Sequence, residues 1–216
     1  SAAPISQAIV MKLSAYIIRS DSGFAPHPYR GMCSLACCKP TIRRCAKPGD
    51  IVIATGPKDS TSTHAKLVYA MMVDEVIGFD EYWNRYPSRR PSKRGNIAAR
   101  GDNIWHRVNG KWKAALGGGH DQSQEGRDIR GQNVLLSRNF YYFGASAIAI
   151  QNTFVKLVAT TQGHRNCTDK REIEDFWNWM VNTAPKAGRI GDPTMFDKLA
   201  ACKNCHDYGD DDICEN

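Results

Sequence analysis

Residues 48–55 read PGDIVIAT, and this short stretch decides the fold. Pro48-Gly49-Asp50 is a turn, and IVIAT (51–55) is an unbroken run of mostly β-branched residues, too short for a helix. It reads as a strand buried on both faces. Upstream, MKLSAYII (11–18) is a second strand, ended by the turn Ser20-Asp21-Ser22-Gly23. Between them, FAPHPYRG (24–31) carries two prolines around His27 and forms an extended irregular loop. Pro40 to Ala46 suits a short helix, with Pro40 in its first turn. Downstream, LVYAMMVDEVI (67–77) is a strand bent near Asp74, and Asp80 caps a short helix carrying Tyr82 and Trp83. Asn109-Gly110 marks a hairpin between 104–108 and 111–114. Gly117 to Asn133 is glycine-rich and polar, long enough to act as a lid. VLLSRNFYYF (134–143) is one more strand, closed by Gly144.

The last third changes period. Ile173, Phe176, Trp177, Met180 and Val181 fall on one face of an amphipathic helix that starts near Thr168 or Asp169. Asp192-Pro193 opens a second short helix towards Ala201. Strands first and helices last give the α+β class. About six short strands suit a small twisted, partly closed β-barrel with C-terminal helices packed on one end.

A chain of 216 residues, 42% hydrophobic and 24% charged, supports one well-buried domain. Residues 1–10 lack a basic start and a long apolar run, and read as a leader or appended remnant before Met11. The domain is expected over 11–195, with 196–216 a Cys-rich acidic tail. No stretch reaches the ~18 apolar residues of a membrane helix, so a cytoplasmic protein with no membrane partner is expected.

The net charge of +7 is unevenly spread. From Arg85 to Lys113 there are nine basic residues against the single acid Asp102, a surplus of eight. Such a stretch is the footprint of a phosphate-binding surface, with Arg89, Arg90, Lys93 and Arg94 as its contacts. A solvated loop kept soluble by its charge is the alternative. A second cationic group lies in 27–44, where His27, Tyr29, Lys39, Arg43 and Arg44 suit nucleotide or base binding. A thiol among these cations, Cys38 or Cys33, is a candidate nucleophile; burial as a small apolar side chain is the rival role. In GDNIWHR (101–107), Asp102 and His106 form a candidate base and acid, and Asn103 can pair with a base edge. Trp105 and Tyr142 are candidate stacking partners, with core packing as the alternative. His120, Asp121 and Asp128 lie in the glycine-rich segment that could close over a ligand.

Eight cysteines fall into two groups. His164, Cys167, Cys202 and Cys205 have spacings that suit a structural zinc, and free thiols or disulfides fit the same residues. Cys202-Lys203-Asn204-Cys205-His206 also spells a haem attachment pattern, which would require export.

The ordered blocks GFAPHPYRGMCSLACCKPTIRR, PGDIVIATG, LVYAMMV, FDEYW, GDNIWHR and VLLSRNFYYFG resemble the nucleotide modification associated domain of the second type, over about residues 11 to 195. That family accompanies enzymes that build or read altered DNA bases in bacteria and their viruses. The resemblance therefore implies a nucleic acid or nucleotide ligand and a protein partner in a modification system. It carries no catalytic set with it. The Pro-Gly-Asp turn before an apolar strand is also similar to barrels of the pseudouridine synthase and archaeosine transglycosylase type (PUA- and EVE-like), which take a base into an aromatic pocket. Two functions follow as expectations: a protein that binds a base or nucleotide in a modification pathway, or a transferase or hydrolase acting on one.

Overall fold

The IVIAT segment lies at the centre of a computed structural model that describes residues 11–57, 65–92, 101–159 and 163–195. In chain order the elements are β1 (Leu13–Ile17), β2 (Cys33–Leu35), α1 (Pro40–Cys45), β3 (Ile51–Thr55), β4 (Lys66–Met72), β5 (Glu75–Gly78) and α2 (Phe79–Arg85). They continue with β6 (Trp105–Val108), β7 (Lys111–Ala114), α3 (Glu125–Arg130), β8 (Asn133–Ser137), β9 (Asn139–Tyr142), β10 (Ile148–Ala149), β11 (His164–Cys167), α4 (Lys170–Thr183) and β12 (Gly188–Arg189).

The main sheet has the order β11-β1-β3-β4-β9-β12, with β10 also on β4. β1 and β3 run parallel, and β3, β4 and β9 are antiparallel neighbours. Alternation along β3 explains why its sequence is apolar throughout. Ile51 and Ile53 face α4, packing with Ile173, Phe176 and Met180. Val52 and Ala54 face the other way, towards Leu35 and Leu135 of a second sheet. A strand covered on both sides has no polar face. Ile173, Phe176 and Met180 are wholly buried, each contributing about 1.5–3 kcal/mol of apolar burial. Asp169 caps α4 by accepting from the Glu172 N–H, at the expected start.

The second sheet, β2-β8-β5, is covered on its far side by α2 and the β6–β7 hairpin, through Phe79, Tyr82, Ile104 and Trp105. Four layers result: α4, main sheet, small sheet, then α2 with the hairpin. The hairpin turns at Asn109 and Gly110, whose φ values of 51° and 75° are both positive, as its tight turn requires.

The fold is α+β, but the expected barrel does not form. The main sheet ends at β11 on one side and β12 on the other, the three-stranded sheet is separate, and neither closes on itself. Two segments read as single strands cause the difference. Residues 67–77 break at Val73-Asp74, and 134–143 break at Arg138, so each gives one strand to each sheet. The chain crosses between layers instead of curling one layer into a barrel. The second C-terminal helix expected from Asp192 falls mostly outside the described residues, and no helix is assigned over 192–195. No helix among the described residues is long and apolar enough to cross a membrane.

Candidate functional site

Cys38 lies between β2 and α1 in a conformation that side chains rarely adopt: φ is 60° at Cys38 and 44° at Lys39. Pro40, at the start of α1, disfavours the right-handed helical conformation for the residue before it. The Cys38 peptide is held on both sides. Its N–H donates to Asp128 Oδ1 at 2.9 Å, and its carbonyl accepts from Arg43 Nε at 2.7 Å. Left-handed residues with a side chain cost about 1–2 kcal/mol each, and they persist where surrounding bonds hold them.

The thiol faces a histidine. Cys38 Sγ is 3.5 Å from His120 Nε2, and His120 Nδ1 is 2.6 Å from Asp128 Oδ2. Thiol, imidazole and carboxylate thus form a relay of the kind that activates nucleophiles. His120 comes from the glycine-rich segment, with its ring against Phe24 at a centroid distance of 5.1 Å. Asp128 sits on α3 and also accepts from Trp105 Nε1 at 3.0 Å. Three N–H groups therefore orient its two oxygens.

Arg43 is the strut beneath the relay. It is wholly buried and donates to the carbonyls of Cys38, Asp128 and Asn133, at 2.7, 2.6 and 2.7 Å. Gly131 makes this possible, because a Cβ there would overlap the guanidinium.

The electrostatics follow from burial and pairing. Burial works against a charged His120, but the Cys38 sulfur and the Asp128 carboxylate outweigh it and hold the imidazole up to about 10. Burial likewise opposes a charged Asp128, and the hydrogen bond and charge of His120, helped by Arg43, hold it down to about 2. At neutral pH the site contains an imidazolium and a carboxylate side by side. Arg127 adds a further cation, with Nη2 3.5 Å from His120 Nε2.

Cys37, His120 and Asp128 also form a cluster of metal-ligand types, with donor atoms within 4.8 Å of one another. Those donors are occupied. Asp128 takes three N–H groups, His120 Nδ1 is spent on Asp128, and the Cys37 thiol donates to the Asp102 carbonyl at 3.9 Å. Burial first, and then the negative charge of Asp128, push the Cys37 thiol up, which disfavours the thiolate a metal needs. Cys33, the other candidate nucleophile, is fully buried and also pushed up by burial.

A second polar cluster lies behind the first. Asp102, wholly buried, accepts from Tyr82 Oη at 2.7 Å and from Ser34 Oγ. Arg89 approaches it at 3.6 Å and His27 at 3.7 Å. Arg89 is 2% exposed, and its guanidinium serves Tyr82 Oη, Ser34 Oγ and the carbonyls of Tyr29 and His27 at 2.6–2.8 Å. Asn103 ties Tyr82 and Tyr86 through their carbonyls, at 2.9 and 3.0 Å. Tyr142 is buried and donates to Asp21.

The other candidates are dispersed. His106 stacks on Trp83 at 4.1 Å, and Arg90 covers that indole at 4.0 Å. Lys39 lies 4.9 Å over the Tyr16 ring, and Arg44 is half-buried in the last turn of α1. Tyr29 packs edge-on against His27. His164 and Cys167 are three apart on β11, a spacing that turns them to opposite faces. Lys93, Arg94, Cys202 and Cys205 lie outside the described residues. Cys45 is disulfide-bonded, whereas Cys33, Cys37, Cys38 and Cys167 are free.

Sequence reasoning named Cys38 as a candidate nucleophile and His120 and Asp128 as residues of a segment that could close over a ligand, without linking the two. His120 and Asp128 stand 82 and 90 residues away, so no local spacing links them to the thiol. The one local sign was a histidine in a glycine-rich segment followed eight residues later by an aspartate.

No curated protein and no solved structure matches this chain. A family model does, over residues 10–200: nucleotide modification associated domain 2. With that match spanning most of its length, and the ordered blocks of the sequence agreeing, the chain belongs to the nucleotide modification associated domain 2 family.

Proposed function

We propose that the protein is a thiol-dependent enzyme of nucleotide modification, with Cys38 as nucleophile, His120 as acid and base, and Asp128 as the residue that orients the imidazole. The observation that carries this reading is the continuous relay from Cys38 Sγ through both nitrogens of His120 to Asp128. An associated role in nucleotide modification comes from the family. The substrate class is a nucleotide or modified base bearing an amide or ester.

In the reacting state the proton shared by thiol and imidazole is on His120 Nε2, and Cys38 Sγ bonds to the acyl carbon. As the carbon–nitrogen or carbon–oxygen bond breaks, the leaving group takes that proton from His120. Water, deprotonated by the now neutral His120, then attacks the thioester. It releases the acid and returns the proton to the Cys38–His120 pair; an acceptor amine in place of water gives transfer instead. The Cys38 N–H is already committed to Asp128. Charge developing on the acyl oxygen would therefore fall to the neighbouring Arg127 guanidinium.

Alkylation tests the nucleophile without a known substrate. At pH 6 an ordinary thiol of pKa about 8.5 is less than ~1% ionised. Iodoacetamide is expected to label Cys38 at least about 10-fold faster than such a thiol, and His120→Gln to remove the advantage while the far-UV spectrum is unchanged. Labelling of Cys38 no faster than that of a free thiol would sink the proposal. Stoichiometric zinc that is lost in Cys37→Ala would replace it with a metal centre.

A further inference from the structure

A concavity among the described residues lies apart from the Cys38 relay. A cavity of about 330 Å³ opens where three separate segments meet: the turn after Tyr29, the β8–β9 break, and β12. Its wall carries Arg30, Arg138 and Arg189, its aromatic side is formed by Tyr29 and Phe140, and no carboxylate lines it among the described residues. None of Cys38, His120 and Asp128 takes part.

Clustered arginines on a surface usually mean solvation alone; these three differ in where the fold places them. Arg138 stands at the break that sends the chain from one sheet to the other, exposed between buried Ser137 and half-buried Asn139. Arg30 and Gly31 are both left-handed, with φ of 60° and 73°. For Arg30 that conformation costs about 1–2 kcal/mol. Neither the Arg30 nor the Arg138 guanidinium has a side-chain or backbone partner among the described residues. Arg189 is held in place by Asp192 and lies 5.2 Å over the Tyr29 ring. Two uncommitted guanidiniums and one anchored one therefore ring an opening with aromatic carbon on one side. Guanidiniums match phosphate oxygens in pairs, and the volume suits a small ligand, at the low end of the ~300–1,000 Å³ common for such sites.

We propose that this cavity binds the phosphate of a free nucleotide, with Arg30 and Arg138 closing on the phosphate oxygens. The cavity, at about 330 Å³, is too small to track a strand.

Titration calorimetry with the four deoxynucleoside 5′-monophosphates, the matching nucleosides, inorganic phosphate and a single-stranded 20-mer tests the site. The monophosphates are expected to bind at least about 10-fold more tightly than the nucleosides, and Arg138→Ala to weaken them about 10- to 100-fold, the range for charged hydrogen bonds. Arg30→Ala with Arg138→Ala should abolish binding without lowering the melting temperature, since neither guanidinium holds anything inside the fold. Binding of inorganic phosphate, weaker than the monophosphates and lost in the same variants, would also support the site. The proposal is overturned if the monophosphates do not bind, if the double variant binds them within about 2-fold of the native protein, or if only the 20-mer binds. The readout is binding without turnover, so a negative result leaves the alkylation test of Cys38 standing, and the converse holds too.

Discussion

At the scale of single residues, the site is a set of charges whose positions along the chain say little about which way they face. Arg43 reads as a nucleotide contact and Arg89 as a phosphate contact because they are basic, yet each is buried and spends its guanidinium on interior oxygens. Charge in a sequence has a sign but no direction, and an arginine able to satisfy five donors can be the interior hub of several segments. The same pairing makes stability depend on pH. His120 is raised from 6.5 to about 10, so the stability it contributes is whole below pH 6.5 and is lost as pH rises through about 10. Asp128 is lowered from 3.8 to about 2, so its contribution is present above pH 3.8 and lost as pH falls through about 2. The melting temperature is expected to be flat from about pH 4 to 6.5 and to decline from there to pH 10. His120→Gln should lower the plateau and remove the alkaline decline. Melting curves taken across this range decide it, and an unchanged alkaline slope in the variant would show that the imidazolium is not the group responsible.

Among the elements, local signals were read correctly wherever one stretch of chain is sufficient to fix its own conformation. The 51–55 strand, the helix from Pro40 and the hairpin at Asn109-Gly110 are of this kind. The barrel was not, because closure depends on where β4 passes into β5 and β8 into β9. A two-residue break inside an apolar run looks from sequence like a bend. The glycine-rich segment expected to be a lid in fact carries a 3-10 turn at Gln122–Gln124 and then α3, and α3 brings Asp128 under Cys38. Gly131, just after α3, leaves room for Arg43, and that contact joins α1 to α3. Gly131→Ala would overlap the guanidinium. Three hydrogen bonds, two of them buried, keep that group from swinging aside, so the substitution is expected to cost about 1–3 kcal/mol as an overpacked site. It should also slow iodoacetamide labelling of Cys38, because the carbonyl of Cys38 loses its donor. Urea denaturation and labelling rate measured on the same sample check both halves. A variant as stable as the native protein, with unchanged labelling, would mean that Arg43 does not brace the thiol.

Across the whole molecule, the surplus of positive charge need not be a nucleic-acid surface, since much of the described part of the basic stretch is already neutralised. Arg85 pairs with Glu75 at 2.9 Å and Glu81 at 2.6 Å, and Arg107 pairs with Asp80 at 3.2 Å while lying over Trp112. Arg90 covers Trp83, and Arg89 is interior. Trp83, with His106 stacked on it and Arg90 over it, offers little to a base. A cation already paired with a carboxylate releases few counterions from a strand, so it adds little to affinity or to its dependence on salt. Replacing Arg85 and Arg107 together by alanine is therefore expected to leave the affinity for a single-stranded 20-mer within about 2-fold, with the slope of log affinity against log salt unchanged. Each genuine phosphate contact removed would instead flatten that slope by about 0.7. Fluorescence anisotropy at several salt concentrations separates the cases. A slope reduced by one unit or more would place the strand across α2 and the hairpin, returning function to the basic stretch and away from the cavity beside Tyr29.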